Sequence, residues 1–273
     1  IDSVTQDVEV YCEPTADFEY IPECVGTNTI FTSTSYSDTS ISTYIWDMGG
    51  LGNYQVDGSG NMTGPNSENP VFLYDTCGTY TVKLIIIDAT SCDDTIIKTI
   101  DVYCNPIALF EADPVCQNQT TIFINQSTLG NNPSLGGLAY IWNMGGAGDY
   151  QVDGSGNMTG PNSENPVFLY DTCGIYNVTL TVTDGNLCDS VITIPVTVWC
   201  NPTADFSAPP QCLDYQPIIF NDITTWGDGN PDTWTWTMNT DGNGTGSYEP
   251  GMNNTLPSTE YSFDSCGIHP VQL

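Results

Sequence analysis

Residues 53–78 and 149–174 are almost the same text: NYQVDGSGNMTGPNSENPVFLYDTCG recurs with Asn53 exchanged for Asp149. Near-identity at a long fixed period means that one unit has been copied, so the unit must be read before any motif. Arrays of near-copies build length, stiffness or many equivalent contact points. A unique catalytic cleft gains nothing from copying.

Tryptophans and cysteines set the register. Trp46 recurs at Trp142, and Trp236 takes the same place in a diverged third copy. YCEPTADF (11–18), YCNPIALF (103–110) and WCNPTADF (199–206) mark three starts. Cys24, Cys116 and Cys212 follow at one offset, then Cys77, Cys173 and Cys266, then Cys92 and Cys188. The unit is about a hundred residues, the size of one domain. The expected division is 1–12, the final strand of a preceding unit; 13–104, the first unit; 105–200, the second; and 201–273, a third that lacks its last strand. That third unit is expected to be completed by the next stretch of polypeptide or by residues 1–12 of a neighbouring subunit.

The chain carries 33 acidic residues against Lys83 and Lys98, for a net charge of −31. Nucleic-acid affinity rests on Lys and Arg contacts to phosphate, so that partner is excluded, and an anionic membrane surface is disfavoured. Such a surface attracts divalent cations instead. Eleven cysteines at repeated offsets, with one histidine, point to disulfides rather than zinc, and so to an extracellular or cell-surface location. No stretch reads as a signal peptide or as an apolar run long enough for membrane insertion, and mature, exported material is expected.

Strand signals dominate. Runs at 29–31, 44–46, 70–74, 80–86 and 96–102 are short, β-branched and aromatic, and are separated by Gly, Asn, Asp and Pro clusters. Tyr80, Val82, Leu84 and Ile86 alternate as in a half-buried strand. About seven such strands per unit predict an all-β fold of tandem β-sandwiches.

Motifs then point to a family. PTADF, the segment Tyr44-Ile45-Trp46-Asp47-Met48-Gly49-Gly50, and Asn69-Pro70-Val71-Phe72-Leu73-Tyr74 followed by Gly78-Thr79-Tyr80-Thr81-Val82-Lys83-Leu84 resemble the signatures of PKD (polycystic kidney disease) domains. The resemblance implies immunoglobulin-like sandwiches. The CNPTADF starts, the DTCG turns and the scarcity of Lys and Arg resemble very long surface proteins of Bacteroidetes, among them gliding adhesins.

In an immunoglobulin sandwich, Cys24, Cys77 and Cys104 fall at one end of the first unit, and Cys188 faces that junction from the second. Placing Tyr80 opposite Val102 brings Cys77 within one residue of Cys104, inside bridging range. Cys77–Cys104 and Cys173–Cys200 are expected, with Cys24 reaching across to Cys188. The alternative is Cys24–Cys77 with Cys104–Cys188, together with Cys12–Cys92; sequence alone leaves both open.

Two further patterns repeat. Asp57, Ser59, Asn61 and Glu68, and again Asp153, Ser155, Asn157 and Glu164, have the spacing of an EF-hand calcium loop. A glycine-rich C–D hairpin is the other reading, since Met62 stands where that loop needs glycine. Asp2-Ser3-Val4, Asp94-Thr95-Ile96 and Asp189-Ser190-Val191 fall at equivalent strand starts and resemble the O-glycosylation motif of Bacteroidetes. The glycan candidates are therefore Ser3, Thr95 and Ser190, with Thr76 and Thr172 as looser matches. The competing reading is that Asp and Thr simply begin a strand.

Catalysis finds no repeating Ser–His pair, no phosphate loop and no arginine. The expected function is a non-catalytic structural or adhesive segment of a long extracellular fibre. Its partners would be neighbouring repeats or subunits, surface polysaccharide or protein, with calcium as the one candidate cofactor. The alternative is a binding-module array appended to a secreted hydrolase, for which Trp226 and Trp234 are the platform candidates.

Overall fold

The structure, a computed structural model, describes residues 3–130, 137–212, 217–229, 231–238 and 246–273. Asp2 of the first glycan triplet lies outside the described residues.

The first unit comprises β1 (Phe18–Tyr20), β2 (Glu23–Cys24), β3 (Thr29–Ser33), β4 (Ile41–Asp47), β5 (Gly52–Tyr54), β6 (Val71–Tyr74), β7 (Gly78–Asp88) and β8 (Asp93–Tyr103). They form two facing sheets, ordered β1-β3-β6-β5 and β2-β8-β7-β4. This is the two-sheet immunoglobulin-like pattern, as the sequence predicts.

The second unit repeats it with β9 (Phe110–Glu111), β10 (Val115–Cys116), β11 (Thr121–Ile122), β12 (Ile124–Asn125), β13 (Ala139–Asn143), β14 (Gly148–Tyr150), β15 (Val167–Tyr170), β16 (Gly174–Thr183) and β17 (Asp189–Trp199). In the third, β18 (Phe206–Ser207), β19 (Ile218–Asp222), β22 (Ser258–Phe263) and β21 (Gly246–Tyr248) share a sheet, and β20 (Thr237–Met238) pairs β23 (Val271–Gln272). Residues 3–12 pair with no strand, and Val4, Val8 and Val10 are exposed.

The alternation of β7 works as read. Val82, Leu84 and Ile86 face inward, and β8 adds Ile100 and Val102. Each such side chain contributes about 1.5–3 kcal/mol by leaving water. Across the core, Trp46 meets Phe18 edge-on at 5.1 Å, and its Nε1–H donates to the Ser67 carbonyl at 2.9 Å. Trp142 with Phe110 and Trp236 with Phe206 repeat the contact. A left-handed Gly49 (φ 70°) follows, where a Cβ would stand 2.2 Å from the Thr81 oxygen. That is why the tryptophan is followed by glycine in units one and two.

The register of β7 on β8 differs from expectation by two residues. Tyr80 faces Ile100 and Gly78 faces Val102. Hairpin register is set by its turn, and here Asp88 fixes it. Its Oδ1 accepts the amides of Thr90 (2.8 Å) and Cys92 (3.0 Å), with Ser91 left-handed at φ 70°.

Candidate functional site

The feature that distinguishes this chain is the junction between units, and it is assembled from strand ends. β2 runs parallel to the last turn of β8, pairing Cys24 with Tyr103. Val25 N–H then donates to the Tyr103 carbonyl at 2.8 Å. Cys24 therefore lies on a short strand. Cys77 and Cys104 are joined at the same end, with Cα atoms 4.9 Å apart. A bridge spanning 27 residues contributes about 3–4 kcal/mol by the loop-entropy relation.

The second unit contributes two loops to this end. Gly130 approaches so closely that a Cβ would stand 2.5 Å from the Asn105 oxygen and 2.8 Å from the Cys104 Cβ. The β16–β17 turn brings Cys188, which is buried and bonded to Cys24 with Cα atoms 5.6 Å apart. Asp184 holds that turn by accepting the amides of Asn186 (2.9 Å) and Cys188 (3.0 Å). Cys173–Cys200 repeats the intra-unit bridge at 4.9 Å. Cys12 and Cys92, the alternative pair, are not joined. Asp38 accepts a hydrogen bond from Cys12 and raises its thiol pKa, through that bond first and through its charge second.

The next junction repeats the parts. Cys116 on β10 pairs with Trp199 on β17, and Gln117 N–H donates to the Trp199 carbonyl at 2.8 Å. Gly227 crosses Cys200 as Gly130 crosses Cys104, leaving no room for a Cβ, and Asp228 Oδ2 accepts the Cys200 amide at 2.5 Å. Cys116, exposed and unbonded, borders a cleft of about 380 Å³ with Trp199, Cys200, Pro202, Asp228 and Pro231.

The candidate calcium ligand Asp57 is engaged within its own loop. Asp57 Oδ1 accepts the amides of Ser59 (2.8 Å) and Asn61 (2.9 Å), and its Oδ2 takes the Asn61 side-chain amide at 3.3 Å. These bonds, the Asn61 amide foremost, hold its carboxyl below the usual range. Asp153 is held alike by Asn157 and Ser155. The loop follows β5 and precedes β6, so it is a D–E hairpin pinned by a Val56–Met62 bridge, not a C–D loop. Glu68 stands instead beside the Tyr44 hydroxyl and Glu164 beside that of Tyr140; burial first and that carboxylate second push both phenols up. Among the described residues no three His, Cys, Asp or Glu side chains group as metal ligands. Asp57 and Asp153 thus cap their own turns.

The glycan triplets are not equivalent either. Alignment on Cys92 and Cys188 matches Asp93 to Asp189, so Thr95 corresponds to Val191 and Ser190 to Asp94. Thr95 is exposed on β8, whereas Ser190 is half-buried on the alternate face of β17. Asp94 accepts the Ala16 amide at 2.7 Å, a structural use of the acidic residue. Ser3 is exposed, and Thr76 and Thr172, also exposed, meet the Tyr80 and Tyr176 hydroxyls. His269 stacks on Phe263 at 4.1 Å, with Nε2 2.9 Å from the Ser265 carbonyl oxygen. Trp226 is 59% exposed, and Trp234 donates to Asp222 at 3.0 Å.

No family model matches the chain. Among solved structures it is similar to the PKD1 domain of Vibrio anguillarum Epp, at 24% identity over 34% of this chain and 96% of that one, with a TM-score of 0.28. It is similar to the PKD1 domain of the Vibrio cholerae metalloprotease PrtV at 28% identity over 33% and 98%, TM-score 0.26. The human desmocollin-1 ectodomain aligns at 11% identity over 95% and 55%, TM-score 0.32. At such scores the likenesses add nothing to the chain's own strand pairing, on which the sandwich fold stands.

Proposed function

We propose that this chain is a non-catalytic, load-bearing segment of an extracellular fibre or adhesin, built from PKD-type sandwiches. Cys24–Cys188 carries this reading: it ties two near-copies across their junction, beside a glycine contact that admits no side chain. A covalent tie of this kind limits bending between units. It adds nothing to chemistry inside either one. The acidic surface keeps neighbouring fibres apart, and the oxidised cysteines fit a location outside the cell.

The test is the distribution of angles between units one and two, read by electron microscopy of single particles. Cys24→Ala with Cys188→Ala removes the tie and creates no new unpaired thiol. The distribution is expected to broaden while each unit keeps its own melting behaviour. An unchanged distribution would remove the mechanical role.

A binding-module reading draws on Trp226, whose exposed ring beside β19 could stack on a sugar. Titrating surface polysaccharide against Trp226→Ala, with fluorescence as readout, separates it from the mechanical reading.

A further inference from the structure

The bridge Cys24–Cys188 joins two kinds of half-site, and each recurs elsewhere in unbonded form. The strand-borne half is Cys24 on β2. Cys116 on β10 matches it bond for bond: the same parallel partner position, Tyr103 or Trp199, and the same 2.8 Å amide bond from the next residue. The residue after next-but-one closes the same turn, Thr27 N–H to Cys24 O and Gln119 N–H to Cys116 O, both at 3.0 Å. Asn105 and Asn201 reach the same carbonyl, at Val25 (3.5 Å) and Gln117 (3.0 Å).

The turn-borne half is Cys188. Cys92 matches it equally closely. Asp88 and Asp184 each accept the cysteine amide at 3.0 Å, and each donates its own amide to the cysteine carbonyl at 2.9 Å. Ser91 and Leu187 are both left-handed, at φ 70° and 65°. A leucine tolerates that conformation only where the turn is imposed.

We propose that Cys92 and Cys116 are open rungs of one ladder of inter-unit disulfides, each built to bond a further sandwich of the same design. Cys92 takes the strand-borne cysteine of the unit stacked on the first unit's turn end; Cys212 of a second copy, at the sequence offset of Cys24 and Cys116, is the candidate. Cys116 takes the turn-borne cysteine of a sandwich of the same design stacked against β10, the partner that Cys188 is to Cys24. Each bond forms by thiol–disulfide exchange. A cysteine thiolate attacks a small disulfide such as oxidised glutathione and expels one thiol. The partner thiolate then attacks the mixed disulfide and expels the second. Two protein thiols lose two electrons and two protons, and the small disulfide is reduced to two thiols.

Cys12 is the competitor for Cys92, since it stands at the same end beside Asp38. Its equivalents Cys104 and Cys200 are both bonded within their own units, to Cys77 and Cys173, and neither bonds the turn cysteine. The same logic reserves Cys12 for its own sandwich.

The ladder rests on bond geometry and not on the adhesive reading, because it holds a fibre and a module array alike. The test is differential alkylation of the protein as isolated from its source, followed by non-reducing peptide mapping. Cys92 and Cys116 are expected to resist alkylation until reduced, and the Cys92 peptide to be linked to a strand-borne cysteine. Quantitative labelling of either before reduction, or a Cys12–Cys92 link, overturns the proposal. For purified chain in an oxidised-glutathione buffer, the expected species is a head-to-tail oligomer linked Cys92–Cys212. Cys92→Ser is expected to abolish it, and Cys12→Ser to leave it. Oligomer formation unchanged in Cys92→Ser would sink the idea by a second route.

Discussion

Units one and two close one end of the sandwich with a tyrosine where unit three has a phenylalanine. Tyr74 and Tyr170 are buried, and each hydroxyl donates at 2.9 Å to a backbone carbonyl, Met48 or Met144. Phe263 takes that place, and His269 replaces Tyr80 and Tyr176 beside it. The ring stack survives the exchange, at 4.1 Å against 4.2 and 3.9 Å. The tryptophan at the centre survives too, still edge-on to its phenylalanine. What unit three lacks is the hairpin of residues 55–63, tied by Thr63, for Tyr248 is followed by Glu249, Pro250 and Gly251. Apolar contacts are non-directional and tolerate drift. A hydroxyl bonded to a particular carbonyl is directional, and the phenylalanine of unit three cannot make that bond.

The largest test of that contrast is covalent. Cys173→Ala with Cys200→Ala should cost unit two about 3–4 kcal/mol, seen as faster hydrogen exchange in β16 and β17. Unit one, with its own bridge, should not change. Equal loosening of both units would mean that they do not fold as separate cores.

Two threonines make a sharper comparison, because one substitution should have opposite signs. Thr159 Oγ1 is buried, donates to the Gln151 carbonyl at 2.8 Å, and accepts the Val167 amide at 3.1 Å. Thr159→Val strands that amide and should destabilise by about 1–3 kcal/mol. Thr121 is equally buried, yet its hydroxyl has no partner, and unit three carries Ile218 there. Thr121→Val should therefore stabilise, by about 1 kcal/mol, since it removes an unsatisfied polar atom at constant shape. Denaturant midpoints moving in the same direction for both variants would contradict the assignment.

These differences also mark what could be read from the chain. The alternation of Val82, Leu84 and Ile86, the core tryptophans and the sheet-forming runs were legible, because burial imposes a period. β2 was not: Glu23 and Cys24 are two half-buried residues whose strand exists only because the end of β8 lies beside them. The two-residue register error had a local cause. Ser91 gives no sequence sign that it will turn left-handed, and the Asp88 carboxylate that enforces it lies beyond the run 80–86 read as a strand. Nor does spacing along the chain say which way a carboxylate turns: Asp57 turns onto the amides of its own loop.

The smallest effect separates units one and two themselves. Lys98 Nζ lies 2.5 Å from Asp17 Oδ1 and 5.0 Å from the centre of the Phe18 ring. Unit two has Ile194 and Leu109 at these positions. The Lys98 hydrogen bond, and then the Phe18 amide, hold the Asp17 carboxyl below its ordinary value. A depressed carboxylate stabilises fully above its unfolded pKa, roughly 4, and that contribution fades as pH falls through the lower folded value. Acidification below about pH 4 should thus weaken unit one by a term that unit two does not have, while the matched Asp57 and Asp153 turns lose alike. Asp17 is half exposed, so salt should shrink the difference. Lys98→Ile, which installs the residue of unit two, should raise the Asp17 pKa measured by NMR. It should do so only in part, because the Phe18 amide at 2.9 Å remains. An Asp17 titration unmoved by Lys98→Ile would mean that the pair is a contact of position and not of charge.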